Sequence, residues 1–536
     1  MSTETIVGGR ILVADEVSDE GLEPLRSAGF AVEKKTGLAP ADLVIELANR
    51  DGLIVRSETK VTAEVLNGAS TLRVIGRAGV GVDNIDVAAA TARGIIVMNA
   101  PDGNTITTAE HTIALLVALA RNVPQANNSV KAAQWERKRF VGAELRGKTL
   151  GIVGLGRIGR AVAQRASALG MNIVAYDPFI AADQTHDVEI QIAPLDEVLA
   201  RADFLTVHTP LTNETHGIIN ASAFAKMKTG ARVINCARGG LIDERALCDA
   251  ITSGKIAGAA LDVFEQEPPP ADHPLLAFDQ VIVTPHLGAS TTEAQQAVAV
   301  TVAEQMRDYL LTGAVRGAVN MPALGALESV TLQPYLSLAE SLGRFQAQLI
   351  DSQVREVRLE FAGELVELDA APVTRAFLAG LLRDISARVN IVNAFVIAEE
   401  RGISVTTSYV RGSTAASAIR TSVTSASGEQ TASGSVFTTA EGYRAGRITR
   451  INGFRIEAIP RGHMIVMHNR DVPGVIGKVG SILGDAGINI SAFHLGRRER
   501  GGEAMAIIEV DAPLDKPTVD KLVATDAVLS LRQIEL

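Results

Sequence analysis

Short apolar runs alternate with amphipathic segments from residue 10 to about residue 285 of the chain. Apolar runs without polar alternation are typical of strands that are buried on both faces of a sheet. Strands that alternate with helices at this interval indicate βαβ units and parallel sheets. The predicted strands are Arg10–Ala14, Gly52–Val55, Arg73–Gly76, Gly94–Met98, Thr149–Val153, Asn172–Tyr176, Ala202–Val207, Ala231–Asn235 and Gly258–Val263. Because these strands are too many for a single sheet, we expect two doubly wound α/β domains.

Helical spacing of apolar residues predicts helices over Ser18–Ala28 and Ala39–Ala48, and a longer helix over Ser290–Leu311. Ser290, with Glu293 three residues later, is typical of a capping box at the start of the long helix. A helix of about 22 residues spans roughly 30 Å, which is enough to carry the chain back to the first domain.

Beyond residue 322 this alternation stops. Spacing predicts helices over Leu336–Leu349 and Val373–Ala387, and the Ser- and Thr-rich stretch Ser404–Thr439 keeps residues typical of strands. Asn452-Gly453, between alternating polar and apolar residues, predicts a hairpin with a type I′ turn. We therefore expect a third domain of the α+β class.

The C-terminal residues 461–536 have the element order βαββαβ of a ferredoxin-like sandwich. The predicted elements are strand Met464–Met467, helix Val475–Ala486, strands Ile488–Phe493 and Ala504–Val510, helix Lys516–Ala524 and strand Val528–Ile534. The expected total is therefore four domains.

Composition and charge narrow the classes of function. The 536 residues are 47% hydrophobic and 21% charged, which is typical of a globular protein, and the formal net charge is −10. This balance argues against nucleic-acid binding, which needs a basic surface, and requires any anionic ligand to find a local cationic pocket. We expect no membrane span, no secretory signal and, with two cysteines, a reducing cytoplasmic setting.

The most informative motif joins the strand ending at Val153 to a helix through a glycine-rich turn, Gly154-Leu155-Gly156-Arg157-Ile158-Gly159. In this context Gly154 permits a tight turn, Gly156 lets a pyrophosphate approach the backbone, and Gly159 lets the helix pack on the strand. Asp177, at the end of the next predicted strand, can accept hydrogen bonds from ribose hydroxyls and would repel a 2′-phosphate. The motif therefore predicts NAD as cofactor; a ligand-free turn of an ordinary α/β domain is the alternative.

Three further segments follow predicted strands of the same domain and carry Arg238, Glu267 and His286. Ligands of open α/β sheets lie beyond the carboxyl ends of the strands, so these side chains are expected near the nicotinamide. A neutral imidazole can take the hydroxyl proton of a 2-hydroxy acid, a carboxylate can fix the imidazole tautomer, and a guanidinium can hold the substrate carboxylate. Each residue alone has a structural interpretation, but together they indicate a dehydrogenase. We see no metal-ligand spacing and expect no metal.

GLGRIG with Asp177, NCARGG (235–240), LDVFEQEP (261–268) and TPHLGAS (284–290) resemble the signature segments of the D-isomer-specific 2-hydroxyacid dehydrogenases. VRSETKVT (55–62), GRAGVGVDNID (76–86) and WERKRF (135–140) resemble the family members that act on 3-phosphoglycerate, and HNRDVPGVIGKVGSIL (468–483) resembles an ACT domain. The resemblance implies NAD-dependent oxidation of 3-phospho-D-glycerate to 3-phosphohydroxypyruvate, the first step of L-serine biosynthesis. It also implies a homo-oligomer, expected to be a tetramer.

The resemblance further implies a layout and residue roles. The substrate-binding domain would comprise 1–100 and 289–320, the NAD-binding domain 101–288, an intervening domain 321–459 and the ACT domain 460–536. Arg238 would bind the substrate carboxylate, His286 would be the acid/base, and Glu267 would orient it. The NAD pocket would also include Thr209, Pro210, Cys236, Asp262, Gly288 and Ala289.

The phosphate of a roughly trianionic substrate calls for further cations. Arg56, Ser57 and Arg77 follow predicted strands of the first domain and are expected to face the interdomain cleft. Arg137 and Lys138, which in the family lie near a dimer contact, are expected to reach a neighbouring site; a solvated basic face is the alternative.

In ACT domains the loop after the first strand and the start of the second strand bind an amino acid at a dimer interface. Here these positions are Asn469, Asp471 and Asn489, which suit a zwitterion, and the resemblance implies L-serine as inhibitor. Val472 departs from the basic residue that relatives commonly carry before Pro-Gly. An ACT fold that serves assembly alone is the alternative.

Two other functions stay open at this point. One is a hydroxypyruvate or glyoxylate reductase of the same family, against which Arg56, Arg77 and the C-terminal domain argue. The other is a non-catalytic NAD-dependent binding protein on the same scaffold, which need not keep Arg238, Glu267 and His286 together.

Overall fold

The computed structural model describes residues 9–180, 189–321, 326–385, 388–411, 417–438 and 443–536. The described residues form four sheets, and the expected fold class, two doubly wound parallel sheets followed by an α+β domain and a ferredoxin-like βαββαβ domain, is confirmed. The division of the chain at residues 100, 288, 320 and 459 stays a prediction.

The first sheet is parallel, with strand order β2-β1-β3-β4-β5. Its strands are Arg10–Val13 (β1), Ala31–Lys34 (β2), Gly52–Val55 (β3), Val74–Arg77 (β4) and Ile96–Asn99 (β5). The helices between them are Glu23–Arg26 (α1), Pro40–Leu47 (α2), Ala63–Asn67 (α3) and Val87–Ala92 (α4). The helix predicted over Ser18–Ala28 is wrong in extent: a 3₁₀ turn at Glu20–Leu22 precedes the short α1, whose first turn contains Pro24. Proline suits a first helical turn but not a helix interior, which explains the division.

The second sheet has seven parallel strands in the order β12-β11-β10-β9-β6-β7-β8. Its strands are Thr149–Val153 (β6), Asn172–Tyr176 (β7), Ile190–Ile192 (β8), Phe204–Val207 (β9), Ala231–Asn235 (β10), Ile256–Leu261 (β11) and Val281–Val283 (β12). Its helices are Thr105–Arg121 (α5), Val123–Lys131 (α6), Arg157–Ala168 (α7), Leu195–Arg201 (α8), Ala221–Lys226 (α9) and Glu244–Thr252 (α10). The strand order reverses between β6 and β9, so a ligand crevice is expected at their carboxyl ends.

The helix Thr292–Thr312 (α11) returns to the first sheet and covers it. Val298, Val302 and Met306 are buried with strand residues such as Ile11 in one core. A side chain at Gly76 would overlap Val302 and Met306, so the glycine lets the helix lie directly on β4. The expected capping box at Ser290 is wrong by one residue, because Thr291 caps the helix by accepting the N–H of Ala294 at 3.2 Å.

The third sheet is mixed, with the order β14-β13-β15-β16-β17-β18. Its elements are Ala326–Leu349 (α12), Val354–Ala362 (β13), Ala371–Leu381 (α13), Ala394–Glu400 (α14), Ser404–Val410 (β14), Ala418–Ser425 (β15), Gly428–Thr438 (β16), Arg444–Ile451 (β17) and Phe454–Ala458 (β18). The predicted hairpin is present, with φ of 46° at Asn452 and 84° at Gly453, as a type I′ turn requires.

The fourth sheet is antiparallel, with the order β20-β21-β19-β22. Its elements are His463–Arg470 (β19), Val475–Asp485 (α15), Ile490–Arg497 (β20), Glu503–Val510 (β21), Lys516–Val523 (α16) and Val528–Glu535 (β22). Among the described residues, no helix combines the length and apolarity needed to cross a bilayer.

Candidate active site

His286 and Glu267 form a hydrogen-bonded pair at the carboxyl ends of β11 and β12. Nδ1 of His286 lies 2.7 Å from Oε2 of Glu267, and Oε1 of Glu267 accepts the N–H of Phe264 at 3.1 Å. Burial would raise the pKa of Glu267, but the hydrogen bond and charge of His286, with the Phe264 N–H, lower it overall. His286 has a φ of 55°, a left-handed conformation that non-glycine residues rarely adopt outside sites where the surroundings enforce it. The imidazole is therefore held with Nδ1 on the carboxylate and Nε2 available.

Asp262 enforces the conformation of the loop that carries His286. Its buried carboxylate accepts the N–H groups of Leu287 and Gly288, each at 2.8 Å, and the hydroxyl of Thr284 at 2.5 Å. His111 Nε2 lies 3.1 Å from the same carboxylate. Burial would raise the pKa of Asp262, but His111 and Thr284 lower it overall by hydrogen bonding. Asp262 therefore holds the loop of His286 from beneath, and it also lines a pocket beside His286 and Glu267.

Arg238 follows β10 and reaches toward the first domain. Its Nε lies 3.1 Å from Oδ2 of Asp83, and its Nη1 donates to the carbonyl oxygen of Ala237 at 2.7 Å. Asn235 stabilises the turn by donating to the carbonyl oxygen of Arg238 at 2.8 Å and accepting the N–H of Ala237 at 3.0 Å. The guanidinium is thus fixed at the boundary between the two parallel-sheet domains.

Arg77 and Arg56 bring two further cations to the same place. Burial, followed by the charges of Arg238 and Arg56, lowers the pKa of Arg77 to about 10. The Nε of Arg77 is buried without a hydrogen-bond partner. Asp15 holds the loop of Arg56 by accepting its backbone N–H at 2.6 Å. Three arginines that repel one another in a partly buried site favour an anionic ligand between them.

A cleft of about 280 Å³ is lined by most of the residues predicted to be catalytic or substrate-binding, although not by Arg56. The predicted residues that line it are Ser57, Arg77, Arg238, Glu267, His286 and Ala289. Arg137 and Lys138 are exposed and lie outside this cleft, so a role for them at the site of a second chain stays a prediction.

The glycine-rich turn has the geometry expected of a dinucleotide site. Gly154 has a φ of 94°, and a side chain at Gly159 would overlap the carbonyl oxygen of Gly154. A Cβ on Gly156, in contrast, would meet no atom within 4 Å, so space is open in front of the turn. Helix α7 begins at Arg157 and presents its N-terminal N–H groups there. These features fit a pyrophosphate.

The remaining predicted NAD residues surround this turn. Asp177 accepts the N–H groups of Leu155 at 2.8 Å and Phe179 at 2.9 Å, one on each carboxylate oxygen, which leaves a lone pair on each for a ribose hydroxyl. Thr209 packs against Gly154, and its hydroxyl is buried without a partner. Arg157 is paired with Asp102 at 2.7 Å. Each of the other predicted residues lies in a loop after a strand of this sheet or in the first turn of α7: Ile158, Pro210, Cys236 and Gly288.

Burial raises the pKa of the Cys236 thiol to about 12, so this cysteine stays protonated. Within the described part of the chain, no group of three or more His, Cys, Asp or Glu side chains is placed to hold a metal ion.

The predicted effector residues lie at opposite ends of the fourth sheet. Asn469 and Asp471 are at the end of β19, where Arg497 lies 3.2 Å from Asp471. Asn489 precedes β20 and donates to Asp511 at 2.8 Å. Asp511 follows Val510, which pairs with His463 at the start of β19, so Asn489 lies near that end of the sheet. Burial leaves Oδ1 of Asn469 without a partner. One chain therefore does not bring Asn489 together with the other two residues.

Sequence reasoning missed the residues that orient the site. Asp83, Asp15 and His111 each hold a predicted residue or its loop. Asp83 lies in the segment GRAGVGVDNID (76–86), but only the folded chain brings it to Arg238.

Three family models match consecutive parts of the chain. Residues 113–288 match the NAD binding domain of the D-isomer specific 2-hydroxyacid dehydrogenases. Residues 331–452 match the D-3-phosphoglycerate dehydrogenase intervening domain, and residues 463–526 match the ACT domain.

Relatives and solved structures agree with these matches. The chain is 43% identical to D-3-phosphoglycerate dehydrogenase of Archaeoglobus fulgidus, over 98% of this chain and 100% of the relative, and 44% identical to that of Bacillus subtilis, over 98% and 99%. The structure of a glyoxylate reductase from Paecilomyes thermophila superimposes with a TM-score of 0.54 at 30% identity, over 58% of this chain and 98% of that one. D-lactate dehydrogenase from Aquifex aeolicus, complexed with NAD and lactic acid, has a TM-score of 0.51 at 28% identity, over 59% and 100%.

Proposed function

The chain belongs to the D-3-phosphoglycerate dehydrogenase family, and we propose that it oxidises 3-phospho-D-glycerate to 3-phosphohydroxypyruvate as the first step of L-serine biosynthesis. Membership makes it an NAD-dependent 2-hydroxyacid dehydrogenase. The observation that carries the choice of substrate is that Arg77 and Arg238 line the cleft of His286, while the charge of Arg56 acts on Arg77 from outside that lining.

His286 accepts the proton of the substrate hydroxyl, and Glu267 stabilises the charge that His286 then carries. With Nδ1–H donating to Glu267, the lone pair on Nε2 of His286 takes the proton from the C2 hydroxyl as the carbonyl forms. The Glu267 carboxylate stabilises the imidazolium that results. When bound at the glycine-rich turn, NAD⁺ supplies the two-electron oxidant for C2. Arg238 holds the C1 carboxylate and places the hydroxyl within reach of the imidazole.

Arg77 and Arg56 hold the phosphate. A substrate without that group would leave the buried Nε of Arg77 without a partner and the guanidinium beside two other cations. This cost disfavours small 2-hydroxy acids such as glycerate or lactate.

Steady-state NADH formation at alkaline pH tests the proposal. We expect turnover with 3-phospho-D-glycerate at a kcat/KM far above that for D-glycerate or D-lactate. A preference for D-glycerate, or for glyoxylate in the reverse direction, would support the reductase instead. NAD binding without turnover of any of these acids would support a binding protein.

L-Serine is the proposed inhibitor, and its site is proposed to be shared between two chains of a tetramer. The support is that Asp471 and Asn489 lie at opposite ends of one sheet, so that a zwitterion would contact both only across a chain boundary. We expect Asp471→Ala and Asn489→Ala each to abolish inhibition by L-serine. Hybrid oligomers of the two variants would regain part of it, because half of their mixed sites keep both residues. If L-serine releases no heat on titration into the full-length wild-type protein, the effector role is wrong, while the dehydrogenase proposal stands.

A further inference from the structure

Asp83 is a cleft carboxylate to which the reaction described above gives no task. It lies in the loop after β4 of the first domain, whereas its partner Arg238 follows β10 of the second. The ion pair joins residues 155 positions apart and spans the cleft. Only 28% of the Arg238 side chain is exposed, so the guanidinium is partly desolvated and its hydrogen bonds are worth more than those on an open surface.

The contacts of Arg238 show which of its N–H groups remain for a ligand. Nε–H is directed to Asp83, and one Nη1–H is directed to the carbonyl oxygen of Ala237. Gly81 lies against Nη2, because a Cβ there would overlap the guanidinium. Of the five N–H groups, three on Nη1 and Nη2 are left for a carboxylate. The first domain therefore touches Arg238 twice, through Gly81 and through Asp83.

Two carboxylates, Asp83 and Asp15, act on Arg77 by their charge, and they have different hydrogen-bond partners. Asp15, the other carboxylate near Arg77, accepts the N–H groups of Arg56 and Thr59 and the hydroxyl of Thr59. Asp83 instead accepts from Arg238. The contact is directed to Nε although 68% of the Asp83 side chain is exposed, so Asp83 is oriented by Arg238 rather than by its own loop.

We propose that Asp83 is a positioning residue: it holds the Nε side of Arg238 from across the cleft, so that the Nη groups face the substrate carboxylate when the first domain is closed over the second. The proposal rests on the proposed function only in that a 2-hydroxy acid is bound through Arg238. A carboxylate is suited to this task because it accepts a charge-assisted hydrogen bond and keeps the planar guanidinium from rotating.

The test compares Asp83→Ala, Asp83→Asn and the control Glu64→Ala, which removes an exposed carboxylate of the first domain, by steady-state kinetics with 3-phospho-D-glycerate and with D-glycerate. We expect Asp83→Ala to raise KM for both acids by the same factor, about 10-fold or more, with a smaller change in kcat and none in KM for NAD. Asp83→Asn keeps an acceptor oxygen and is expected to recover most of the loss. In an Arg238→Lys background, Asp83→Ala should add little, because both act through one group.

Different outcomes overturn the proposal. If Asp83→Ala lowers KM for 3-phospho-D-glycerate alone, Asp83 only screens the phosphate-binding arginines. If all three single variants behave as wild type, or if the Asp83→Ala effect is undiminished in the Arg238→Lys background, Asp83 does not position Arg238. Turnover by the wild-type protein, measured first, decides the proposed function separately.

Discussion

Nδ1 of His286 lies 2.7 Å from Oε2 of Glu267, although the two residues leave different strands of the second sheet. The contact fixes which nitrogen of the imidazole can act on a substrate, so Glu267 supports the reaction through His286.

Replacement of either partner is expected to affect the chemical step. His286→Ala should lower kcat for oxidation about 10²- to 10⁴-fold, the usual contribution of a general base. Glu267→Gln keeps a hydrogen-bond acceptor but removes the charge that stabilises the imidazolium, so a smaller loss of about 10-fold or more is expected. Single-turnover NADH formation measures both. Loss of NAD affinity with an unchanged rate of the chemical step would contradict these roles.

Arg56 and Arg77 are expected to discriminate by phosphate. Arg77→Ala and Arg56→Ala should each raise KM for 3-phospho-D-glycerate far more than KM for D-glycerate, because only the phosphorylated acid uses them. The measurement is the ratio of kcat/KM values for the two acids in each variant. Equal effects on both acids would refute the phosphate assignment.

Asp177 is expected to set the preference for NAD over NADP. Asp177→Ala removes the carboxylate that would repel a 2′-phosphate, so kcat/KM for NADP should rise relative to that for NAD, with NAD binding itself weakened. The ratio of the two kcat/KM values checks this. Asp177→Asn is the matched control for side-chain size, because it removes the charge but keeps a side chain of the same size that accepts a hydrogen bond. An unchanged ratio in both variants would count against the role of Asp177.

His208 is expected to make the protein sensitive to mild acid. Burial lowers the pKa of His208 from 6.5 to about 4 in the folded protein. Between these two pH values the unfolded chain therefore binds a proton at His208 that the folded chain does not. Its contribution to the free energy of unfolding is therefore unimpaired above about pH 6.5 and falls by about 1.4 kcal/mol per unit as the pH drops toward 4. The Tm of wild type should fall toward, or below, that of His208→Gln as the pH is lowered from 7.5 to 5. A constant difference in Tm would contradict this.

Periodicity predicted the first and last residues of several strands that are buried on both faces, because an uninterrupted apolar run marks the extent of such a strand. Gly52–Val55, Thr149–Val153, Asn172–Tyr176 and Ala231–Asn235 begin and end as predicted. The start of α11 was predicted less well. Ser290 and Glu293 satisfy the capping pattern, but Ser290 still belongs to the turn after His286, where its N–H reaches the carbonyl oxygen of Leu287. Contacts of that loop with Asp262 and Thr108 therefore decide that Thr291 is the cap.

The sequence by itself determined the glycine-rich turn, the residue types for acid/base chemistry and the order of the four sheets, because these depend on local spacing and on burial. Only the tertiary structure decided which carboxylates serve the site. Asp83 and Arg238 are 155 residues apart, and their contact depends on how two domains meet. Asp471 and Asn489 lie near each other in the chain, yet the antiparallel sheet places them at opposite ends. Local pattern specifies what a segment becomes, whereas the packing of distant segments specifies which side chains it meets.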